Sequence, residues 1–513
     1  MSELPPSWSW TTIDEIASTS SGGTPSRTRS DFYGGSIPWV KSGELNDGFV
    51  TEIEEAITEE GLRNSSAKIF QSGTLCIALY GATVGKVGIL ARNAATNQAV
   101  CGINPHTQID AKYLFYFFQS QRSTLIGLSQ GGAQPNISQQ IVRSTAVPLC
   151  AHGEQDRIVA EIEKQLTRLD AATAALKRVQ ANLKLYRASV LKAACEGRLV
   201  PTEAELARQE GRNYEPAEKL LQRILRERRA RWEADTLAKM QASGKPPKDD
   251  HWKQKYKEPS APDTTNLSAL PEGWCWASLE QLIVSGPQNG LYKANSSYGS
   301  GNPIIRIDDY QNDWYRPATD LRVLQLEAEE FNLYGLESRD ILINRVNSPS
   351  HLGKCICIPD EWVGAVFESN MMRLQVAELL SAQSLMNYLH SDEGRERLTS
   401  NAKWAVNQAS INQEDVKATP VPLPPQREQT RIAQSVSLAL SQASRTSEAI
   451  EAQIHRSACL RQATLCAAFT GQLVPQDPTD EPASSLLERI RAERVESSKK
   501  SIQRKAVRKR GKR

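Results

Sequence analysis

Thr145–Ile162 reads TAVPLCAHGEQDRIVAEI, and Thr419–Val436 reads TPVPLPPQREQTRIAQSV. Eight of these eighteen positions are identical and in the same order: Thr, Val, Pro, Leu, Glu, Gln, Arg and Ile. The offset between the copies is 419 − 145 = 274. A long-range echo marks a repeated unit, and it sets the fold class before any local reading. Three more pairs keep one order along the chain. LPPSWSWTTIDEI from Leu4 returns as LPEGWCWASLEQL from Leu270, LKAACEGRLVP from Leu191 as LCAAFTGQLVP from Leu465, and EPAEKLLQRILRER from Glu215 as EPASSLLERIRAER from Glu481. The offset is 266 at the tryptophans (270 − 4) and 274 at the prolines (422 − 148), so the second copy gains a net eight residues between these anchors. There the copies diverge while the anchors hold, as two versions of one reading head would.

The chain of 513 residues is long enough for about two to four domains. It opens MSELPPSWSW, which does not read as a secretion signal. No apolar run comes near the roughly 20 residues that span a bilayer. Most of the nine scattered cysteines, with only Cys355 and Cys357 as a CxC pair, are expected to be buried reduced thiols in a cytoplasmic protein. The formal charge of +3 leaves any basic surface local.

Each copy divides in two. TLCIALYGATVGKVGIL from Thr74 and DILINRVNSPSHLGKCICI from Asp340 are short β-rich runs around a turn, within mixed α/β heads. From Asp156 to Glu196 there is no Pro or Gly, and Ile162, Leu169, Leu176, Leu183 and Val190 stand seven apart. Leu166 adds to the other seam position, which Thr173, Gln180 and Arg187 weaken. A seven-residue repeat keeps one stripe facing a partner helix. The second copy offers Val436, Leu440, Ala443, Ile450 and Ile454, ragged beyond. Each seam predicts the other as its partner, in an antiparallel intramolecular coiled coil about 60 Å long at about 1.5 Å per residue. Homodimerisation is the alternative. Pro148, Pro422, Pro424 and Pro425 are expected to stop the heads, and Glu154 and Glu428 to sit in a first helical turn, where the dipole favours negative charge.

Catalytic motifs are missing. GATVGK at Gly81–Lys86 has three residues between its glycines and Val87 after Lys, so it fails as a phosphate loop. There is no zinc helix, nucleophile elbow or dinucleotide fingerprint. Asn104–Pro105 continues with His106, not as an amino-methyltransferase motif would, and His106, His152 and His351 show no ligand spacing. The residues point to recognition or scaffolding.

A tryptophan-led head, a VPLP…EQ joint and a long helix ending LKAA…G.LV, all repeated once, together resemble the specificity subunit of type I restriction–modification systems. VPLPPQREQTRI and the paired LVP endings carry most of the resemblance, and Cys150 with Ala151 departs from it, since prolines are usual there. The resemblance implies an α+β chain with two target recognition domains, residues 1–151 and 269–425, each reading one half of a split double-stranded DNA target. Conserved helices, 152–200 and 426–474, would space them and dock two modification subunits. It further implies a charged helix and linker at 201–268 and a basic tail at 475–513. Restriction subunits would join through the complex. S-adenosylmethionine, ATP and Mg would belong to those partners, with no cofactor, metal, catalytic residue or membrane contact in this chain. The alternative is a coiled-coil scaffold without base specificity.

Polar residues beside Gly-rich turns are the candidates for DNA contact: Lys41, Ser42, Tyr80, Thr83, Lys86, Asn97 and Gln98 in the first head, and Arg306, Asn344, Arg345, Lys354 and Asn370 in the second. Asn and Gln pair with adenine, while Lys and Arg reach guanine or phosphate. GGAQPNISQQ from Gly131 and NQASINQEDV from Asn407 align at Ile137 and Ile411 and are expected to shape each head's exit. RILRERRARW from Arg223 and the terminal KKSIQRKAVRKRGKR from Lys499 are further basic stretches, the last expected to be disordered.

Overall fold

The computed structural model describes residues 4–128, 136–311, 314–348, 351–405 and 408–510, with side chains described as far as Glu496. Tertiary contacts divide the chain into Met1–Lys177 with Ile450–Arg513, and Arg178–Ala449. Both divisions fall inside the long helices His152–Cys195 and Gln426–Phe469, not at the head–helix joints.

Both heads follow one plan. In the first unit the strand Ser9–Thr12 pairs antiparallel with Ala146–Leu149, placing Trp10 opposite Pro148. In the second, Cys275–Ser278 pairs with Pro420–Leu423, placing Trp276 opposite Pro422. The tryptophan anchor and the proline anchor are therefore the two ends of one head, stitched together. Pro148 and Pro422, expected to stop the heads, lie inside the strands that close them. A two-stranded ribbon has outward-facing positions where a missing N–H costs nothing.

The main sheet of the first head runs Ala17–Ser21, Val100–Pro105, Leu75–Ala78, Val87–Leu90, Gly48–Val50, and that of the second Ile283–Asn289, Met371–Val376, Ile341–Asn344, Cys355–Cys357. The first four strands of one order match the four of the other. A smaller sheet in each contains a parallel pair, Tyr33–Val40 with Ala94–Thr96 and Tyr298–Ile305 with Val366–Phe367.

The hydrogen bonds of the joint explain its Glu-Gln pair. Glu428, fully buried, accepts from Trp274 Nε1 at 3.0 Å through Oε1 and from the Glu203 amide at 2.8 Å through Oε2. Glu154 accepts from Trp8 Nε1 at 3.1 Å and Gln476 Nε2 at 2.6 Å. Two donors converge, so both side-chain atoms must be acceptors, and only a carboxylate supplies that. Burial raises both pKa values despite these bonds. The glutamine needs the opposite. Gln155 accepts from the Asp110 amide (2.9 Å) and donates to Cys150 O (3.1 Å), and Gln429 accepts from the Ser381 amide (2.9 Å) and donates to Pro424 O (2.9 Å). One acceptor and one donor are what an amide offers. The expectation from the helix dipole explains less than this network does.

In the first unit Gln165 meets Thr464 (2.9 Å) and Thr173 meets Ser457 (3.0 Å), so one index rises as the other falls and the helices run antiparallel. In the second unit Arg187 meets Ser444 (2.8 Å), and Val190, Ala194, Ile432 and Val436 share one cluster. Ile162, Val190, Val436, Ala443 and Ile450 are buried, while Leu169, Leu176, Leu183, Leu440 and Ile454 are half-buried. Thr173, Gln180 and Arg187 are half-buried too, and the second stripe continues through Ser457, Arg461, Thr464 and Ala468. Polar pairs across the seam carry it where the apolar repeat lapses.

Gly197 and Gly471 follow the helix ends with φ of +66° and +72°. That left-handed conformation is the usual glycine stop. The 201–268 stretch opens with two α-helices. Helix Glu203–Glu210 starts on a Thr202–Glu205 capping box, and helix Ala217–Ala242 buries Ala217, Leu220 and Ile224. Its Ala217 amide donates to Gly273 O (2.8 Å), and the Ala483 amide of helix Ala483–Arg510 donates to Ser7 O (2.9 Å). The EPA…LL echo is thus a docking contact for each head. The backbone stays helical to Arg510, over the basic stretch expected to be disordered, and residues 511–513 lie outside the described residues. All nine cysteines are free, with Cys459 and Cys466 exposed. Among the described residues no helix is long and apolar enough to cross a membrane, and no acidic, His or Cys cluster could hold a metal.

Candidate nucleic-acid interface

In the first head the parallel pair places Val40 beside Thr96, so Lys41 and Ser42 leave one strand where Asn97 and Gln98 leave the other. The Asn97 amide donates to Val40 O at 2.9 Å. The hairpin of Leu75–Ala78 and Val87–Leu90 brings its loop to the same place, where Thr83 Oγ1 donates to Ser42 O at 2.9 Å. Gly81 and Gly85 turn that loop at φ of +89° and +74°. Glycine alone adopts such angles without a steric cost. Arg122 Nε donates to Gly85 O (3.1 Å) while its guanidinium pairs with Asp47, bracing the loop from behind. Lys41, Ser42, Thr83, Lys86, Asn97 and Gln98 therefore crowd one end of the head. Their freedom differs. Lys41 Nζ pairs with Glu54 (3.0 Å) and Glu55 (3.1 Å), which raise its pKa, and Gln98 accepts from Thr24. Tyr80 forms a β-bridge with Asn136.

The second head repeats the geometry. Ile305 stands beside Phe367, and Arg306 leaves the strand where Lys41 does, with Nε donating to Glu368 at 3.1 Å. The Arg345 amide donates to Asn370 O (2.8 Å) and its Nη1 to Ser369 O (3.0 Å), so Arg306, Arg345 and Asn370 gather around one turn. Asn344 and Lys354 do not join them. Asn344 is fully buried and accepts from Tyr310 Oη at 2.6 Å. Lys354, 6% exposed, donates through Nζ to Ile307 O (2.6 Å) and Tyr310 O (2.5 Å), 4.5 Å from the Tyr310 ring. Burial pulls its pKa down. Neither presents an atom to a base; both hold up the tip. A loop rich in Gly and polar residues reads alike whether those side chains point out or brace it from within.

Ile137 and Ile411 are buried in equivalent roles, their amides donating to Leu79 O (2.7 Å) and Arg345 O (2.9 Å). Residues 131–135 and Asn407 lie outside the described residues. The strands Lys403–Ala405 and Gln408–Ser410 pair at this end of the second head and carry Trp404, 63% exposed. It was not among the expected contacts, although an exposed aromatic directly after Lys403 is the kind of side chain on which bases stack.

One buried carboxyl below the second tip gives a pH signature. Burial pushes Asp340 from its ordinary 3.8 up to about 6, with Arg373 3.8 Å away opposing the rise. A carboxyl that binds its proton more tightly when folded contributes stability below pH 3.8, and loses it as pH rises through about 6. Asn keeps the acceptor for the Glu337 amide. Asp340→Asn should therefore stabilise the chain by about 1–2 kcal/mol at about pH 8 and by almost nothing at about pH 4. Thermal melts across that range check it; a gain independent of pH would contradict the assignment.

The sequence profile of the "Type I restriction modification DNA specificity domain" matches residues 5–185 and 271–456, one match per copy. The "Type I restriction enzyme StySPI specificity subunit" of Salmonella potsdam is 24% identical, over 98% of this chain and 99% of that protein. The EcoKI specificity subunit of Escherichia coli K12 is 22% identical over 91% of each. A solved structure described under "complex assembly and conformational transition of the type I R-M system" superposes with a TM-score of 0.65 at 18% identity, covering 92% of this chain and all of that one. The HsdS subunit of Thermoanaerobacter tengcongensis gives 0.52 at 18% identity, covering 92% and 99%.

Proposed function

Because the chain belongs to the family of type I restriction–modification DNA specificity domains, we propose that it reads an asymmetric two-part DNA site, one part with the tip of each unit. The observation that carries this reading is the pair of tips: one strand plan, one crowded end, and different side chains on it. Lys41, Ser42, Thr83, Lys86, Asn97 and Gln98 are the contact residues of the first tip, and Arg306, Arg345, Asn370 and Trp404 those of the second. Specificity rests on base edges and affinity on phosphates, so the lysines and arginines hold the backbone while Asn and Gln read adenine.

The family supplies specificity, not chemistry. Two modification subunits would transfer methyl groups from S-adenosylmethionine, and restriction subunits, joined through the complex, would use ATP and Mg. The scaffold alternative accounts for the helices but not for two tips that differ inside one repeated frame. The test is methylome sequencing of cells carrying this chain with its modification partner, with and without residues 74–104. A split motif that disappears on deletion is expected. Methylation that persists without that segment would refute the reading.

A further inference from the structure

The two units furnish one groove differently. In each, a helix of the head lies against a long helix, and matched contacts fix the register between copies. Helices Ala111–Ser120 and Ala382–His390 begin at Asp110 and Ser381, whose amides bond to Gln155 and Gln429. Both runs close on a serine whose hydroxyl donates three residues back, Ser120 to Phe117 O (2.7 Å) and Ser391 to Tyr388 O (2.6 Å). Tyr116 is therefore equivalent to Asn387 and Lys112 to Gln383; counting from the paired glutamines, Glu163 is equivalent to Ser437.

In the first unit the groove is filled. Lys112 Nζ donates to Glu163 at 2.7 Å, and the half-buried Tyr116 phenol lies near enough to that carboxylate for its charge, after burial, to raise the phenol's pKa. In the second unit every one of these side chains is shorter. Gln383 turns to Asn387 (3.0 Å), and a cavity of about 490 Å³ remains, lined by Leu191, Val436, Leu440, Ser437, Ser441 and Asn387. That lies within the roughly 300–1,000 Å³ of clefts that hold ligands. Asn387 is 3% exposed, and its Nδ2 finds no hydrogen-bond acceptor among the described residues. A buried amide donor left unmatched costs free energy until an acceptor arrives.

We propose that this groove is a socket for a partner polypeptide, which inserts an aromatic side chain with an acidic group beside it, as Tyr116 and Glu163 do within the first unit. The inference rests on the reading that modification subunits bind this chain, and it gives the second unit a docking element that the first has closed with its own residues. An aromatic ring covers Leu191, Val436 and Leu440, and the acidic group meets the serine hydroxyls and the Asn387 amide. Aromatic anchors entering a preformed pocket are the usual centre of a protein interface.

The test titrates the purified chain with the modification subunit encoded beside it and counts bound copies by native mass spectrometry. Asn387→Tyr with Ser437→Glu refurnishes the groove like its counterpart. We expect the wild type to take two copies, and the double variant to take one with unchanged affinity and the other at least tenfold more weakly. Two copies bound equally well by the double variant would overturn the socket. A measurement that does not depend on filling the groove uses Ser441→Cys, an exposed position. Its alkylation, followed by peptide mass spectrometry, should slow at least tenfold in the complex, and an unchanged rate would again overturn the proposal. A wild-type chain that binds no copy would overturn the partner assignment itself, and the socket with it.

Discussion

Glu428→Ala is expected to lower the stability of the second unit by about 3 kcal/mol, because it orphans two buried donors at about 1–3 kcal/mol each. The Trp274 indole N–H and the Glu203 amide both end on this carboxylate, and all three residues are buried. Releasing a buried charge offsets part of the loss, since burial already raises the Glu428 pKa. Glu428→Gln separates the two effects. It removes the charge yet keeps one acceptor, so one donor faces an NH₂ group, and the cost falls to about half. Glu154→Ala should cost less than Glu428→Ala, because one of its donors is the Gln476 side chain, which can swing to solvent. Hydrogen exchange at residues 203–206 and 274–278 reads the opening of the joint directly. Unchanged protection in Glu428→Ala would refute the account of the joint.

Lys354→Ala should cost about 3 kcal/mol and blunt recognition without redirecting it. The ammonium ties Ile307 O and Tyr310 O together and stacks on a ring whose hydroxyl holds Asn344. Losing charged hydrogen bonds to two carbonyls costs about 1.5–3 kcal/mol each, and freeing a buried charge returns part of that. The tip would lose its floor. Methylation should then fall at every genomic site in proportion, with the motif unchanged and the melting temperature lowered. A base-reading lysine would act the other way, relaxing one position of the motif at unchanged stability. Motif analysis beside a thermal melt distinguishes them.

The repeat, the paired long helices and the absence of catalytic motifs were legible from residue order alone. So was the rough location of the tips, since Gly81 and Gly85 mark a turn in any context. The division among the candidates was not. Arg306 and Lys354 are both cations near polar turns, but one leaves a strand end beside Glu368 and the other points inward under Tyr310. Asn344 and Asn370 differ in the same way. Trp404 went unnoticed because an isolated tryptophan most often belongs to a core, and only burial separates the two cases.

The opening echo shows the boundary between the two kinds of information. By itself the sequence determined that the Glu-Gln joint, the tryptophans, the closing glycines and the EPA…LL motif recur as a set, which implies one architecture used twice. Tertiary structure alone decided how those motifs meet. Trp274 reaches Glu428 across 154 positions, and Gly197 leaves no room for a side chain, since a Cβ there would lie 2.5 Å from Pro271. Pattern records which side chains a position needs, because helix and strand periods are local. Which buried donor ends on which buried acceptor depends on distances through space, and these are set only when the whole unit closes.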